Sequence, residues 1–159
     1  MTPPGDRLLL RSTLSFAAMP GIVAYLVPVL IVRTGAGPTR LEGLIVAAAG
    51  TGVLLWCVHD FHVRGRGTLA PWDPPARLVV TGLYGYSRNP MYLGVLLILL
   101  GWALAWRLQA LWVYLGVIGL AFHLRVVLGE EPWLAARYGD AWSRYRRAVP
   151  RWVGRRRDH

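Results

Sequence analysis

Four stretches of apolar residues organise this chain, at residues 14–32, 44–61, 91–106 and 108–124. A membrane crossing needs about 20 such residues at roughly 1.5 Å each, so the last two are short for a full crossing and must begin and end in the polar interface or in a thinned bilayer. Pro20 and Pro28 kink the first stretch, which a membrane helix tolerates. In the second, Ala47, Ala48, Ala49, Gly50 and Gly52 are small enough to let another helix approach closely, either within the chain or from a second copy. Arg107 and Gln109 are nearly the only polar residues between the third and fourth stretches, so those two form an antiparallel hairpin, with Trp102, Trp106 and Trp112 near its turn as an interfacial belt. After Glu131 the pattern becomes amphipathic. Leu134, Tyr138, Ala141 and Tyr145 share one helical face, Arg137, Arg144 and Arg147 are interleaved, Gly139-Asp140 reads as a helix end followed by a new start, and Pro150 ends the run. The expected architecture is all-α: a multi-pass membrane protein with about four transmembrane helices and C-terminal amphipathic interfacial helices.

Composition agrees. The 159 residues are 55% hydrophobic and 16% charged, with mean hydropathy +0.39. One structural domain is expected, made of a transmembrane helix pair at 1–62 and a region at 63–159 holding the connector, the hairpin, an acidic motif and the amphipathic tail. The net charge is +10, carried by arginine with no lysine at all. These arginines flank the apolar stretches, which points to anionic headgroups of a lipid bilayer and not to nucleic acid. All-arginine usage suits a GC-rich bacterial source, hence an inner membrane. With four crossings, Arg7, Arg11, Arg64, Arg66, Arg77, Arg88 and the tail arginines share one side, against Arg33, Arg40 and Arg107 opposite; both termini are therefore expected in the cytoplasm. The N-terminus does not look like a cleaved signal peptide. A single cysteine, Cys57, excludes an internal disulfide and a multi-cysteine metal site. His59, Asp60 and His62 read as a polar helix end, and no metal site is expected.

Two polar clusters flank the hairpin. Arg88-Asn89-Pro90-Met91-Tyr92 opens the third stretch, with Pro90 suited to the first helical turn and Asn89 to the N-cap. Before it, Thr81-Gly82-Leu83-Tyr84-Gly85-Tyr86 supplies glycines for close backbone approach and tyrosines that stack or hydrogen-bond. His123, Arg125, Glu130 and Glu131 close the fourth stretch. Charges at a membrane helix end are costly unless they find partners, so they are functional candidates. Adjacent carboxylates on a helix point about 100° apart. One can hold a ligand while the other locks an arginine such as Arg88 or Arg125. Closing the hairpin brings both clusters to one surface.

In order, Gly65-Arg66-Gly67-Thr68-Leu69, Leu78-Val79-Val80-Thr81-Gly82-Leu83-Tyr84, Arg88 to Tyr92, a hydrophobic hairpin, Glu130-Glu131, Tyr138-Gly139, Tyr145 and Val149-Pro150 resemble the isoprenylcysteine carboxyl methyltransferase family, within the integral-membrane phospholipid methyltransferases. The resemblance covers about residues 63–152. It implies a methyltransferase that uses S-adenosylmethionine on a lipidic or hydrophobic small molecule, with a cytoplasm-facing site and no soluble nucleotide-binding domain. Carried over by position, Arg77, Leu78, Val79, Tyr84, Asn89, Pro90, Met91, Tyr92 and Glu130 are implied to bind the cofactor. Arg125, Glu131 and Arg88 are the candidate catalytic residues: Arg125 to orient an anionic acceptor, Glu131 as the base toward an amine. The family usually has histidine where Asn89 stands; asparagine still hydrogen-bonds but cannot take a proton. Two alternatives accompany this reading. One is an NADPH-dependent sterol-type membrane reductase, whose C-terminal half looks similar over a Tyr-Gly-x-x-Trp-x-x-Tyr stretch like Tyr138 to Tyr145. The other is a non-enzymatic membrane scaffold of the same fold.

Overall fold

The computed structural model describes residues 20–35, 38–64, 78 and 80–154, with the backbone alone for 61–64. Every regular element among these residues is helical. Helix α1 spans Ile22–Val32, α2 Leu41–Arg64, α3 Pro90–Trp106, α4 Gln109–Arg125 and α5 Glu131–Ala148. A 3₁₀ turn at Gly82–Gly85 precedes α3, and a π-helical turn at Val126–Glu130 joins α4 to α5. The part of the first apolar stretch at 14–19, Arg7, Arg11, most of the connector (65–77) and the tail at 155–159 lie outside the described residues.

Helix α1 opens with a π-helical turn, Ile22–Leu26. Pro28 stands two residues beyond it; it cannot donate to the carbonyl of residue 24 and its ring crowds that carbonyl. The wider turn just ahead of it accommodates the clash.

The closest packing is between α2 and α3. A Cβ placed on Gly43 would sit 2.2 Å from the Ala105 nitrogen, and one on Gly101 would sit 2.4 Å from the Ala47 nitrogen. Further along, Gly50 meets Ile98 and Gly94 meets Leu54. Rising numbers on one helix meet falling numbers on the other, so the pair is antiparallel and in backbone-to-backbone contact. The small residues are there because nothing larger fits. The small face of the second stretch is thus filled by α3 of the same chain at Gly43, Ala47 and Gly50, and is not offered to a second copy there. The Arg40 N–H donates to the Ala105 carbonyl at 3.0 Å and closes that end.

Arg107 makes the turn out of α3 in the left-handed region, with φ 52°. Its N–H bonds back to Ala103 at 2.9 Å, and extended Leu108 then starts α4. The hairpin expected from the sequence is present, with Trp102 and Trp106 stacked at 4.6 Å beside its turn. Val95, Ile98 and Leu99 of α3, with Leu54 and Ala24, form the central core, against which Leu115, Ile118 and Phe122 of α4 pack. Two hydrogen bonds fasten α1 to this core: Tyr25 with Thr51 at 2.5 Å, and Tyr114 to the Val23 carbonyl at 3.0 Å.

Two helical stretches are long and apolar enough to cross a membrane, Leu41–Asp60 and the continuous path Gln109–Ala148; α1 and α3 are apolar but shorter. Exposed Val113, Val117, Leu120 and Leu124 on α4 suit lipid contact. The expected break at Gly139 is real: its φ of 48° and ψ of −117° interrupt α5. Beyond it, Trp142, Tyr145 and Val149 make a second core with Leu78, Leu134 and Tyr138.

Candidate functional site

The connector reaches the bundle through the 3₁₀ turn, entered by Gly82 at φ 65°. This turn buries Tyr84, whose carbonyl accepts the Tyr145 hydroxyl at 2.7 Å. Burial is the chief reason the Tyr84 phenol is pushed far above its ordinary pKa. Tyr86 and Ser87 both donate backbone N–H groups to the Leu83 carbonyl at 3.1 Å, turning the chain toward α3. Asn89 occupies the N-cap position and Pro90 the first turn, as the sequence predicts. The Asn89 side chain does not cap the helix, however. It reaches across to donate from Nδ2 to the Arg151 carbonyl at 3.0 Å, while the Ser87 hydroxyl accepts the Asn89 N–H at 3.1 Å.

Glu131 is clamped. Arg88 Nη1 lies 2.8 Å from its Oε1, Arg151 Nε 2.7 Å from the same oxygen, and Arg151 Nη2 2.9 Å from Oε2. The Arg88 and Glu131 side chains are only 8% and 10% exposed. The Arg88 guanidinium also lies 5.4 Å from the Trp142 ring centre, within cation–π range. Burial lowers the Arg88 pKa, against the pull of Glu131 and together with the nearby charges of Arg151 and Arg146. The hydrogen bond to Glu131 raises that of Arg151.

Glu130, one residue earlier, is open. Tyr92 donates its hydroxyl to Oε1 in a short hydrogen bond. The single Nε–H of Arg125 is shared between that oxygen at 2.9 Å and the Tyr92 oxygen at 3.1 Å. Glu130 is 35% exposed and Arg125 53%. Five residues separate Arg125 from Glu130, which on an α-helix would place them about 140° apart. A π-helical turn closes i→i+5 bonds, here from the Glu131 N–H to the Val126 carbonyl. It therefore stacks Arg125 and Glu130 on one face. The Tyr92 ring packs against Phe122 with centroids 4.5 Å apart, which ties the start of α3 to the end of α4.

The two clusters flanking the hairpin do meet. Arg88, Asn89, Tyr92, Arg125, Glu130 and Glu131 come together, with Pro90 buried below and partly buried Met91 packed on the central core. Leu78 packs on the C-terminal core and Tyr84 is a buried residue of the 3₁₀ turn itself. Arg77 and Val79 lie outside the described residues. Glu131, expected as a base, has both oxygens held by guanidinium groups. The sequence reading missed Arg151. It stands twenty residues from Glu131 on a non-helical segment, so no periodicity marks it; Val149-Pro150 beside it was the nearest signal.

A sulfonium nucleoside needs acceptors for its ribose hydroxyls and amino group. Both contacts to Glu130 fall on Oε1, so this partly exposed carboxylate keeps acceptor capacity for a ligand. The exposed ring of Tyr86 stands on the same connector. The residues present fit such a group. Among the described residues no group of three or more His, Cys, Asp or Glu side chains could hold a metal ion.

Residues 39–141 match the family model described as phospholipid methyltransferase. A Delta(14)-sterol reductase of Mus musculus is 35% identical over 94 residues, which is 57% of this chain and 22% of that protein. The chain therefore spans less than a quarter of that relative's length. An uncharacterized protein of Haemophilus influenzae is 35% identical over 63 residues, 40% of this chain and 100% of that protein. No solved structure matches.

Proposed function

Because the chain belongs to the phospholipid methyltransferase family, we propose that it is an integral-membrane methyltransferase that uses S-adenosylmethionine to methylate a lipidic or hydrophobic small molecule. The observation that carries this reading is the Tyr92–Glu130–Arg125 cluster, which joins the start of α3 to the α4–α5 junction within the family match and leaves a carboxylate and a guanidinium exposed.

When bound, the cofactor supplies an electrophilic methyl group, whose in-line transfer chiefly needs two reactants held close and aligned. Glu130 accepts hydrogen bonds from the ribose hydroxyls or the amino group, while Tyr92 fixes its rotamer. The family resemblance adds Leu78, Tyr84, Asn89, Pro90 and Met91 to the proposed cofactor-binding set, together with Arg77 and Val79, which lie outside the described residues. Arg125 has guanidinium nitrogens beyond the Nε it gives to Glu130, and these orient an anionic group on the acceptor. Arg88 and Glu131 act by positioning, since they are committed to each other and Glu131 is also held by Arg151. With Glu131 so engaged, the site suits an acceptor that needs no base, such as a carboxylate. We read α1 to α4 as crossing the bilayer with both termini and the site on the cytoplasmic side, where arginines concentrate.

A second reading, an NADPH-dependent reductase, is favoured by the identity with the sterol reductase. Calorimetry of the detergent-purified protein separates the two. The methyltransferase binds S-adenosylhomocysteine and not NADPH. NADPH binding alone would establish the reductase, and binding of neither would leave a scaffold.

A further inference from the structure

Arg151 lies beyond residue 141, where the family match ends. Its side chain grips both oxygens of Glu131, Nε on Oε1 at 2.7 Å and Nη2 on Oε2 at 2.9 Å. Its carbonyl accepts Asn89 Nδ2 at 3.0 Å and the Ser87 hydroxyl at 3.4 Å. The carbonyl just before it, on Pro150, accepts the Arg88 N–H at 2.9 Å. Just after it, Trp152 Nε1 donates to His123 Nδ1 at 3.3 Å with the rings 6.1 Å apart. Residues 150–152 therefore form a strap that touches the start of α3, the end of α4 and the start of α5.

Resting on the methyltransferase reading, we propose that Arg151 is a positioning residue for cofactor binding, acting through Glu131 on one side and Asn89 on the other. The planar fork of an arginine fixes both the place and the plane of a carboxylate, which a point charge does not. Glu131 shares a peptide bond with Glu130, so fixing the first fixes the backbone that aims the second at Tyr92. Without Arg151, the Glu131 Oε2 loses its partner at a nearly buried site, and Arg88 alone holds Oε1. The Asn89 anchor loosens with the strap, and with it the segment that opens α3.

The test is calorimetry of the full-length, detergent-purified protein with S-adenosylhomocysteine. Arg151→Ala weakens binding by about tenfold, while gel filtration and helical content match the wild type. Arg151→Lys restores part of the affinity, since it returns the charge without the fork. Combining Arg151→Ala with Asn89→Ala costs clearly less than the sum of the two single effects, because both act through one strap. Arg147→Ala, an exposed arginine nearby, binds as the wild type. A purely structural Arg151 would instead lower the melting temperature and leave the affinity of the folded protein unchanged; that result, or fully additive effects with Asn89→Ala, overturns the proposal. Should Arg151→Ala not fold, the Lys and Gln variants are measured against the same criteria. Wild type that fails to bind S-adenosylhomocysteine removes the methyltransferase reading itself. Wild type that binds alongside an unaffected Arg151→Ala removes only the role of Arg151.

Discussion

Glu130 and Glu131 are joined by one peptide bond and live in opposite surroundings. Glu131 is nearly buried and its two oxygens are taken by Arg88, just before α3, and Arg151, just after α5. Glu130 is a third exposed, and its partners Tyr92 and Arg125 share one oxygen. A buried ion pair is costly to break because the surviving partner is left charged in a poor solvent. An exposed pair contributes little to stability, because water screens it and replaces what is lost. The same residue type thus serves as a rivet in one position and, in the next, as an open carboxylate proposed to meet the ligand. What separates them is the helix turn between α4 and α5, which aims each carboxylate at a different partner.

The largest expected effect comes from removing the rivet. Glu131→Gln keeps the shape but leaves Arg88 and Arg151 without a counter-charge, and breaking a buried pair in this way costs about 3–5 kcal/mol. Thermal unfolding in detergent should show a large drop in midpoint, with the C-terminal strap becoming sensitive to protease. Replacing the whole triad, Arg88→Met with Glu131→Leu and Arg151→Met, should recover much of the loss, because an apolar cluster needs no desolvation of charge. An unchanged midpoint in Glu131→Gln would mean that the strap is held by Trp142, Tyr145 and Val149 packing alone.

Part of this contrast was legible in the chain. Adjacent carboxylates on a helix cannot face the same partner, and from that alone one of them was expected to lock an arginine; Glu131 does so with Arg88. The hairpin between α3 and α4 followed from the lone polar break at Arg107. The small residues at 47–50 announced a close helix neighbour, though not that the neighbour would be α3 itself. Three features were hidden. The π-helical turn leaves no periodicity that a window can detect, since Val126 to Gly129 read as ordinary helix. Asn89 has the sequence of a cap, yet its side chain finds a better acceptor on the strap. The expected four crossings rest on apolar length, and α1 and α3, though apolar, fall short of the length that α2 and the α4–α5 path reach. Local pattern predicts elements; pairings across twenty or sixty residues depend on how those elements pack.

A smaller effect on the fold, but a large one on function, is expected from the open carboxylate. Glu130→Ala should change stability by no more than about 1 kcal/mol, the range for exposed ion pairs. It should nonetheless abolish calorimetric binding of S-adenosylhomocysteine. Set beside Glu131→Gln, it gives the inverse pattern: fold kept and ligand lost, against fold weakened. Should Glu130→Ala bind normally, Glu130 is not a ligand group and the exposed cluster only joins α3 to α4.

The smallest expected effect is that of Tyr92→Phe, and it sharpens the comparison most finely. The ring keeps its packing on Phe122, so little apolar burial is lost. What goes is one hydroxyl that donates to Glu130 and accepts from Arg125. Arg125 can keep its direct bond to Glu130 at 2.9 Å, and the exposed carboxylate can turn to water, so the stability loss should stay at about 1 kcal/mol, the net worth of one hydrogen bond. Glu130 is then held by Arg125 alone, and affinity for S-adenosylhomocysteine should fall a few-fold, by about the same energy converted to binding. A loss as complete as that of Glu130→Ala would mean that the Tyr92 hydroxyl itself touches the ligand. No loss at all would mean that Arg125 and the π-helical turn suffice to aim the carboxylate.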